Sequence, residues 1–447
     1  MNLLEIIEKA GVVGCGGAGF PTHIKWNAKA EHLIINAVEC EPLLATDKFL
    51  MRHRPDDIIK ACIAVGEQLS AKNITIAVKG VYRAEIDALK AAIERNGADI
   101  KIHEFMSFYP AGDEQVIVYE VTGKTVPCGG IPLDVGTVVS NVATMIAAFD
   151  ALNGQPLIYK YVTVAGEVKN PTVIKVPIGT LVSECIEAAG GTTIDNPLII
   201  VGGPMMGKDL SKEKTDNQRV TKTTSGILVI PRGSYMEKSK SELDLVEHHK
   251  KAATACIQCS YCTMLCPRHL LGHPLEPHKI MRALAHSTDI DYLINNNESV
   301  KNALLCSLCG VCSSYSCPMG LEPSKVNAIL KEEMGKKGIR RSSKETTRPL
   351  SDREWRKVPT ARLTSRIGVM NYEHKVGDSL IEIEPKEVSI ALRQGPGKLA
   401  EPVVKVGDIV TKGMEIAAIP DRAMGNNIHS SIEGQVIEVS DVIRIRR

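Results

Sequence analysis

Two short cysteine runs constrain this chain more than any other feature of it. The first, CIQCSYCTMLCP, places Cys256, Cys259, Cys262 and Cys266 in the pattern C-x2-C-x2-C-x3-C-P, the bacterial ferredoxin spacing for a [4Fe–4S] cluster. The second, CSLCGVCSSYSCP, places Cys306, Cys309, Cys312 and Cys317 in the same pattern with one extra residue before the last cysteine. Three thiolates spaced by two residues wrap one corner of a cubane, and the following proline (Pro267, Pro318) turns the chain away. In two-cluster ferredoxins the fourth cysteine of a run binds the other cluster. Cys266 is therefore expected to join Cys306, Cys309 and Cys312, and Cys317 to join Cys256, Cys259 and Cys262. Zinc is the competing reading, because paired C-x-x-C elements also build four-thiolate tetrahedral sites. Zinc needs four ligands, whereas each run here carries four by itself, so two [4Fe–4S] clusters are expected. His269, His273 and His278 follow the first run and read as packing or surface residues beside eight available thiolates. Cys15, Cys40, Cys62, Cys128 and Cys185 are scattered, and a packing role is expected for Cys15 and Cys40 because no cation or histidine that would activate them is evident nearby.

The rest of the composition narrows the class. The chain has 447 residues with 54 Lys plus Arg against 52 Asp plus Glu, so it lacks the basic footprint of a nucleic-acid binder. Hydrophobic residues make up 44%, which excludes a disordered chain. No apolar run approaches the ~18 residues of a membrane span, and MNLLEIIEKA carries Glu5 and Glu8 where a signal peptide wants Lys or Arg. A cytoplasmic protein, not integral to a membrane, is expected, and thiols in that compartment are ligands more often than disulfides.

Along the chain, NLLEIIEKA has helical spacing, HLIINAV and NITIAVKG are strand-like, and AEIDALKAAIERNG is an amphipathic helix before IKIHEF, so residues 74–105 read as one βαβ unit. From Tyr161 the texture changes to YVTVAGEV, NPTVIKVP, a short helix TLVSECIEAAGG and PLIIVGG, a β-grasp-like module. Residues 208–224 read as a polar connection, and GKKGIRRSSKETTRPLSDRE as a linker. At the end, VVKVGDIVTKGMEIAAI and HSSIEGQVIEVSDVIRI are two similar β-rich halves that resemble a biotinyl/lipoyl-type barrel-sandwich hybrid. Arg422 stands where a carrier domain has its acceptor lysine, so the module reads as structural.

GVVGCGGAGFPTHIKW contains Gly14-x-Gly16-x-x-Gly19, formally the dinucleotide fingerprint, yet a helix rather than a strand precedes it and Pro21 follows, which rejects a Rossmann fold. Glycines without Cβ still let backbone N–H groups converge on an anion, and Lys25 adds a positive charge, so a phosphate cradle competes with a tight turn.

The string GCGGAGFPTHIKW closely resembles the glycine loop of the NADH- and FMN-binding flavoprotein of respiratory complex I and of the C-type component of the related Rnf complex. INAVECEP, YPAGDEQ and SNVATM resemble three further segments of that family in the same order, and VGGPMMG with the two cysteine runs is typical of the Rnf C-type proteins. The C-terminal position of the barrel-sandwich module looks more specifically like the corrinoid-reducing branch found in propanediol-utilisation microcompartments. The resemblance implies a multidomain α/β and α+β chain: a complex I flavoprotein-like FMN/NADH domain over residues 1–155, an SLBB β-grasp-like domain with its connection over 156–242, a helical ferredoxin-like double-cluster domain over 243–334, a linker over 335–385, and the barrel-sandwich hybrid over 386–447.

By the same resemblance, FMN contacts fall to Gly14, Gly16, Gly17, Lys25, Asn36, Glu39, Asn141 and Thr144, and the nicotinamide side to Glu41, Asp113 and Glu114. Cys15 stands where complex I has Arg, and Val38 replaces an Asp near the flavin. The family's adenine pocket uses phenylalanines, and with five in the chain it is not placed. The implied activity is NADH oxidation through FMN and two clusters to an external acceptor, with cob(II)alamin, or the corrinoid adenosyltransferase that receives it, as the expected destination. Microcompartment residence, with shell or enzyme partners, goes with that reading. An Rnf C-type protein feeding ferredoxin or a membrane partner is the alternative, and a non-catalytic iron–sulfur scaffold is the alternative of another class. No D-x-H-x-x-G corrinoid signature is present.

Overall fold

The computed structural model describes residues 1–210, 217–341, 344–421 and 423–447; Arg422, at the expected hairpin tip, lies outside the described residues. The N-terminal domain is built on four parallel strands in the order Lys101–Phe105, Asn73–Lys79, His32–Ala37, Thr137–Asn141. Both faces of this sheet are covered, so its strands are apolar on both sides. Leu33 and Ile35 face the helix Pro55–Leu69 through Ile58, Ile59 and Val65, while Ile34 faces Val116, Ile117 and Val118 of the helix Glu114–Thr122. The helix Arg83–Arg95 completes the expected βαβ unit between Asn73–Lys79 and Lys101–Phe105. Asn36 and Asn141 stand in register at the carboxyl ends of adjacent strands, and the helices that follow these strands, Pro55–Leu69 and Val142–Leu152, pack together on one face of the sheet. The carboxyl ends of parallel strands are where open α/β sheets bind ligands.

A six-stranded sheet follows, in the order Leu380–Glu382, Thr172–Pro177, Tyr159–Gly166, Gly226–Ile230, Leu198–Val201, Lys208–Leu210. Its outermost strand comes from the stretch 335–385 that composition marks as a linker. The same stretch pairs Val358–Pro359 antiparallel with Phe108–Tyr109 and buries Val358, Leu363, Ile367 and Val369. Its charged start conceals this structural role. Residues 208–210, expected in a connection, form a strand instead.

The cysteine runs sit among the helices Leu245–Ala255, Pro277–Leu284 and Pro323–Lys336, whose apolar faces meet at Leu275, Ile280, Val326 and Leu330. The last module is a sandwich of two small antiparallel sheets. Its core residues Ile416, Ile428, Ile443 and Ile445 are continuous with the core of the N-terminal domain. Lys222 ties the modules together. It is 1% exposed, and its Nζ donates to Gly11 O at 2.8 Å, Asn426 Oδ1 at 2.6 Å and Asn427 O at 2.7 Å. Three acceptors match the three donors of an ammonium.

Candidate functional site

At the carboxyl ends of these strands lies a two-chambered cleft. The inner chamber, about 380 Å³, is lined by Glu39, Cys40, Glu41, Asp47, Tyr109, Asp113, Lys160 and Cys309 among others. The outer chamber, about 610 Å³, is lined by Gly14, Gly17, Phe20, Ile24, Lys25, Ile131, Leu133 and Thr144 among others. Gly16, Asn36, Glu114 and Asn141 belong to both. The fold thus brings together all eleven residues singled out for the flavin and nicotinamide sides, although they come from four separate segments of the sequence.

The local geometry follows from side-chain capping and close approach. Asn141 Oδ1 accepts from Ala143 N at 2.8 Å and so caps the helix Val142–Leu152. Cys15 N donates to Thr144 Oγ1, 3.0 Å away, in the first turn of that helix. A Cβ on Gly16 would stand 2.8 Å from Asn141 Cγ, so only glycine lets the loop lie this close to the strand end. Asp113 caps the helix Glu114–Thr122 by accepting from Gln115 N and Val116 N. Lys25 Nζ, implied as a phosphate partner, is 2.7 Å from Glu114 Oε1. It lies at the mouth of the cleft beside the loop with its charge already paired.

Glu41 occupies a different position from a free nicotinamide contact. Its carboxylate accepts from Met205 N at 2.8 Å, Met206 N at 3.2 Å and Tyr109 Oη at 3.2 Å. Burial nonetheless raises its pKa. A Cβ on Gly203 would stand 2.1 Å from Glu41 Oε2, which explains the paired glycines of VGGPMMG: they let the β-grasp loop close over this carboxylate. Tyr109 Oη also donates to Cys309 O at 2.8 Å. One phenol therefore spans the acid of the flavin segment and the backbone of a cluster loop.

The two cysteine loops share one backbone shape. In the first, Gln258 and Ser260 have φ of +55° and +63°; in the second, Leu308 and Gly310 have +59° and +79°. These are the same two offsets from the leading cysteine, and three of the four residues are not glycine. Left-handed non-glycine residues cost on the order of 1–3 kcal/mol each and persist where a site demands them. Burial pushes Cys262 up to about 12, with Cys317, Cys259 and Cys256 adding to it. Burial likewise raises Cys309, with Cys266 and then Cys306 adding, and Cys312, with Cys306, Cys309, Cys266 and Cys262 adding. Cys266 thus lies near enough to act on the second run and Cys317 on the first, and Cys262 of the first run also acts on Cys312. Among the described residues no three His, Cys, Asp or Glu side chains converge closely enough to hold a single metal ion, whereas a cubane takes each thiolate on a separate iron. Leu308 N and Asn327 Nδ2 donate to Cys306 Sγ at 3.3 and 3.6 Å.

The other singled-out groups are packed. Burial pushes the Cys40 thiol up to about 12, Cys15 is buried, and His278 Nδ1 pairs with Thr263 Oγ1 at 2.7 Å. Burial draws His273 down to about 4. Sequence reasoning missed four residues of the cleft and its border. Tyr109 lies inside the quoted YPAGDEQ and Asp47 opens a helix, but nothing marks Lys160 in its strand. Arg268 Nη2 reaches Asp113 Oδ2 at 3.0 Å, a pairing across 155 positions that no local pattern records.

Comparison with known proteins agrees with this architecture. Residues 7–150 match the Nuo51 FMN-binding domain, 161–209 the SLBB domain, 255–322 the 4Fe-4S dicluster domain and 364–446 the RnfC barrel sandwich hybrid domain. Over 275 residues the chain is 34% identical to the C component of the proton-translocating ferredoxin:NAD(+) oxidoreductase complex of Clostridium ljungdahlii, covering 60% of this chain and 56% of that one. Cobalamin reductase PduS of Citrobacter freundii is 35% identical over 445 residues, and that of Salmonella typhimurium 37% identical over 448; each alignment covers 98% of this chain and 95% of the relative. With four domains matched in order and that identity over nearly its whole length, the chain belongs to the family of cobalamin reductase PduS.

Proposed function

We propose that this chain oxidises NADH and delivers the electrons singly, by way of FMN and two [4Fe–4S] clusters, to a corrinoid. The carrying observation is the wall shared by the two halves of the site: Cys309 lines the inner chamber, and Tyr109 is hydrogen-bonded to both Glu41 and Cys309. Bound there, FMN supplies the conversion of a two-electron hydride donor into one-electron deliveries, which iron–sulfur centres require. Gly14, Gly16, Gly17 and Thr144 would hold its phosphate, with Lys25 at the mouth, and Asn36, Glu39 and Asn141 its polar edge. The outer chamber suits the dinucleotide. Phe20 and Ile24 are each 37% exposed, Leu133 38% and Ile131 58%, and together they form an apolar rim in place of a cage of phenylalanines.

The order of carriers follows from position. The set Cys266, Cys306, Cys309 and Cys312 is buried and borders the inner chamber, while Cys256, Cys259 and Cys262 are each partly exposed. The second set, with Cys317, is thus the exit to the acceptor. The relatives named cobalamin reductase support a corrinoid there; an adenosyltransferase as the receiving partner and a microcompartment as the setting are part of the same proposal. No helix among the described residues is long and apolar enough to cross a membrane.

The test uses the full chain purified without oxygen. FMN, about eight iron per chain, bleaching of the clusters by NADH and reduction of cob(II)alamin are expected. Iron without flavin, or clusters that NADH leaves oxidised, refutes the reading. Electrons accepted by ferredoxin but not by cob(II)alamin would reassign the acceptor.

A further inference from the structure

Five carboxyl groups line the inner chamber. Glu41 is held by the Met205 and Met206 amides, Asp113 pairs with Arg268 and Glu114 with Lys25, whereas Glu39 and Asp47 face each other, and of these two only Glu39 belongs to the motif that resembles the flavoprotein family. Glu39 is 8% exposed and Asp47 7% exposed. Glu39 has a left-handed φ of +42°, which turns its side chain toward the first turn of the helix Thr46–His53. Its Oε2 accepts from Asp47 N at 2.5 Å. Asp47 Oδ2 in turn accepts from Asn141 Nδ2 at 2.7 Å.

Lys48 and Lys79 act on Glu39 and Lys160 acts on Asp47. Lys79 Nζ also donates to Glu39 O at 3.1 Å and Lys160 Nζ to Cys15 O at 3.2 Å. Burial holds Cys40 and Tyr82, the other titratable neighbours, in their protonated forms. Burial raises Glu39, and burial together with the Glu39 charge raises Asp47 well above the ordinary carboxylate range. A carboxyl buried beside an ionised carboxylate holds its proton more readily. Both groups meet at the first turn of the helix Thr46–His53, and the Glu39 charge acting on Asp47 makes Asp47 the holder of the proton.

The electron path leaves a proton behind. NADH gives up a hydride, which is two electrons and one H⁺, and each cluster accepts one electron and no proton. Per NADH oxidised, two one-electron acceptors are reduced and one H⁺ must leave the chamber by its own route. We propose that the Glu39–Asp47 pair is the proton relay of this site, accepting that H⁺ and releasing it to solvent. The bond formed is a carboxyl O–H on the pair. The hydrogen arrives as H⁺ because its electron pair has left for the clusters, and the O–H bond breaks again as water takes the proton. This inference rests on the flavin reading of the inner chamber.

The experiment has two arms on the full chain. In the first, infrared spectra of flavin-free protein at neutral pH, with carboxyl-labelled aspartate, should show a protonated buried carboxyl that shifts in D2O and disappears in Asp47→Asn. In the second, stopped-flow mixing of FMN-loaded protein with NADH should show cluster bleaching slowed at least tenfold in Asp47→Asn. The solvent isotope effect should be larger, FMN content unchanged, and the rate restored by Asp47→Glu. Should Asp47→Asn lose part of its FMN, the bleaching rate is taken per FMN bound, and Asp47→Ser, which likewise removes the carboxyl, carries the second arm. An ionised Asp47 in the first arm, or bleaching at the wild-type rate in a loaded variant, overturns the relay. FMN content is measured separately, so its absence overturns the flavin reading, whereas bound FMN beside an ionised pair overturns the relay alone.

Discussion

Exchange of the fourth ligands makes a prediction opposite to that of two self-contained runs. Cys266 belongs to the first run, yet it acts on Cys309 and Cys312, while Cys317 of the second run acts on Cys262. Each variant, Cys266→Ala or Cys317→Ala, removes one of four thiolates from one cubane, so iron should fall from about eight to about four per chain in both. The consequences differ because the two sites lie at different depths. Cys266→Ala removes the cluster bordering the inner chamber, so NADH should still bleach the flavin while the surviving cluster stays oxidised. Cys317→Ala removes the outer cluster, so the surviving one should bleach and only delivery to the external acceptor should fail. Anaerobic stopped-flow absorbance, with electron paramagnetic resonance of the samples after NADH, separates the two. The reverse pattern, a bleachable survivor in Cys266→Ala and an inert one in Cys317→Ala, would mean that the exchange and the order do not hold together.

Three further outcomes are expected. Gly203→Ala must displace Glu41 from the Met205 and Met206 amides; losing two charge-assisted hydrogen bonds should cost about 3 kcal/mol, read as a lowered unfolding midpoint, and an unchanged midpoint would contradict the packing. Lys25→Ala removes the one cation among the described residues lining the outer chamber and frees Glu114 as an unpaired negative charge, so FMN affinity should fall roughly tenfold or more by equilibrium dialysis; unchanged affinity would exclude Lys25 from phosphate binding. Burial, with Lys222 nearby, depresses His429 to about 4, against ~6.5 in the unfolded chain. Between these values the unfolded chain binds the extra proton, so stability is full above ~6.5 and declines as pH falls toward 4, by about 1.4 kcal/mol per unit. His429→Leu should flatten that acid limb in denaturant titrations, and an identical slope would disprove the assignment.

The sequence makes some of this legible and hides the rest for physical reasons. Ligand spacing, glycine clustering and strand periodicity are local, so the cysteine runs, the loop and the βαβ unit can be read directly. The exchange of Cys266 and Cys317 is also accessible, because ferredoxin-type runs are short enough to impose it. Asp47, Lys160 and Arg268 are not, since each acquires its place through a partner far along the chain: Asn141 for Asp47, Cys15 for Lys160 and Asp113 for Arg268. The linker reading of residues 335–385 fails likewise, as backbone pairing of Leu380–Glu382 with Val173–Lys175 leaves no trace in composition. Glu41 is recognisable as a residue of the site, but its engagement by the Met205 and Met206 amides depends on a loop 164 positions away.

The three bonds of Lys222 also set the timing of the molecule's assembly. Its acceptors lie 211 positions before it, at Gly11, and 205 after it, at Asn427. Contacts of such separation form late and slowly. While the chain is being synthesised, Lys222 becomes available to the Gly11 carbonyl some two hundred residues before Asn426 and Asn427 are made. The ammonium therefore gains its last two acceptors only when the C-terminal module docks, and the contact among the three modules is the last of these to be completed.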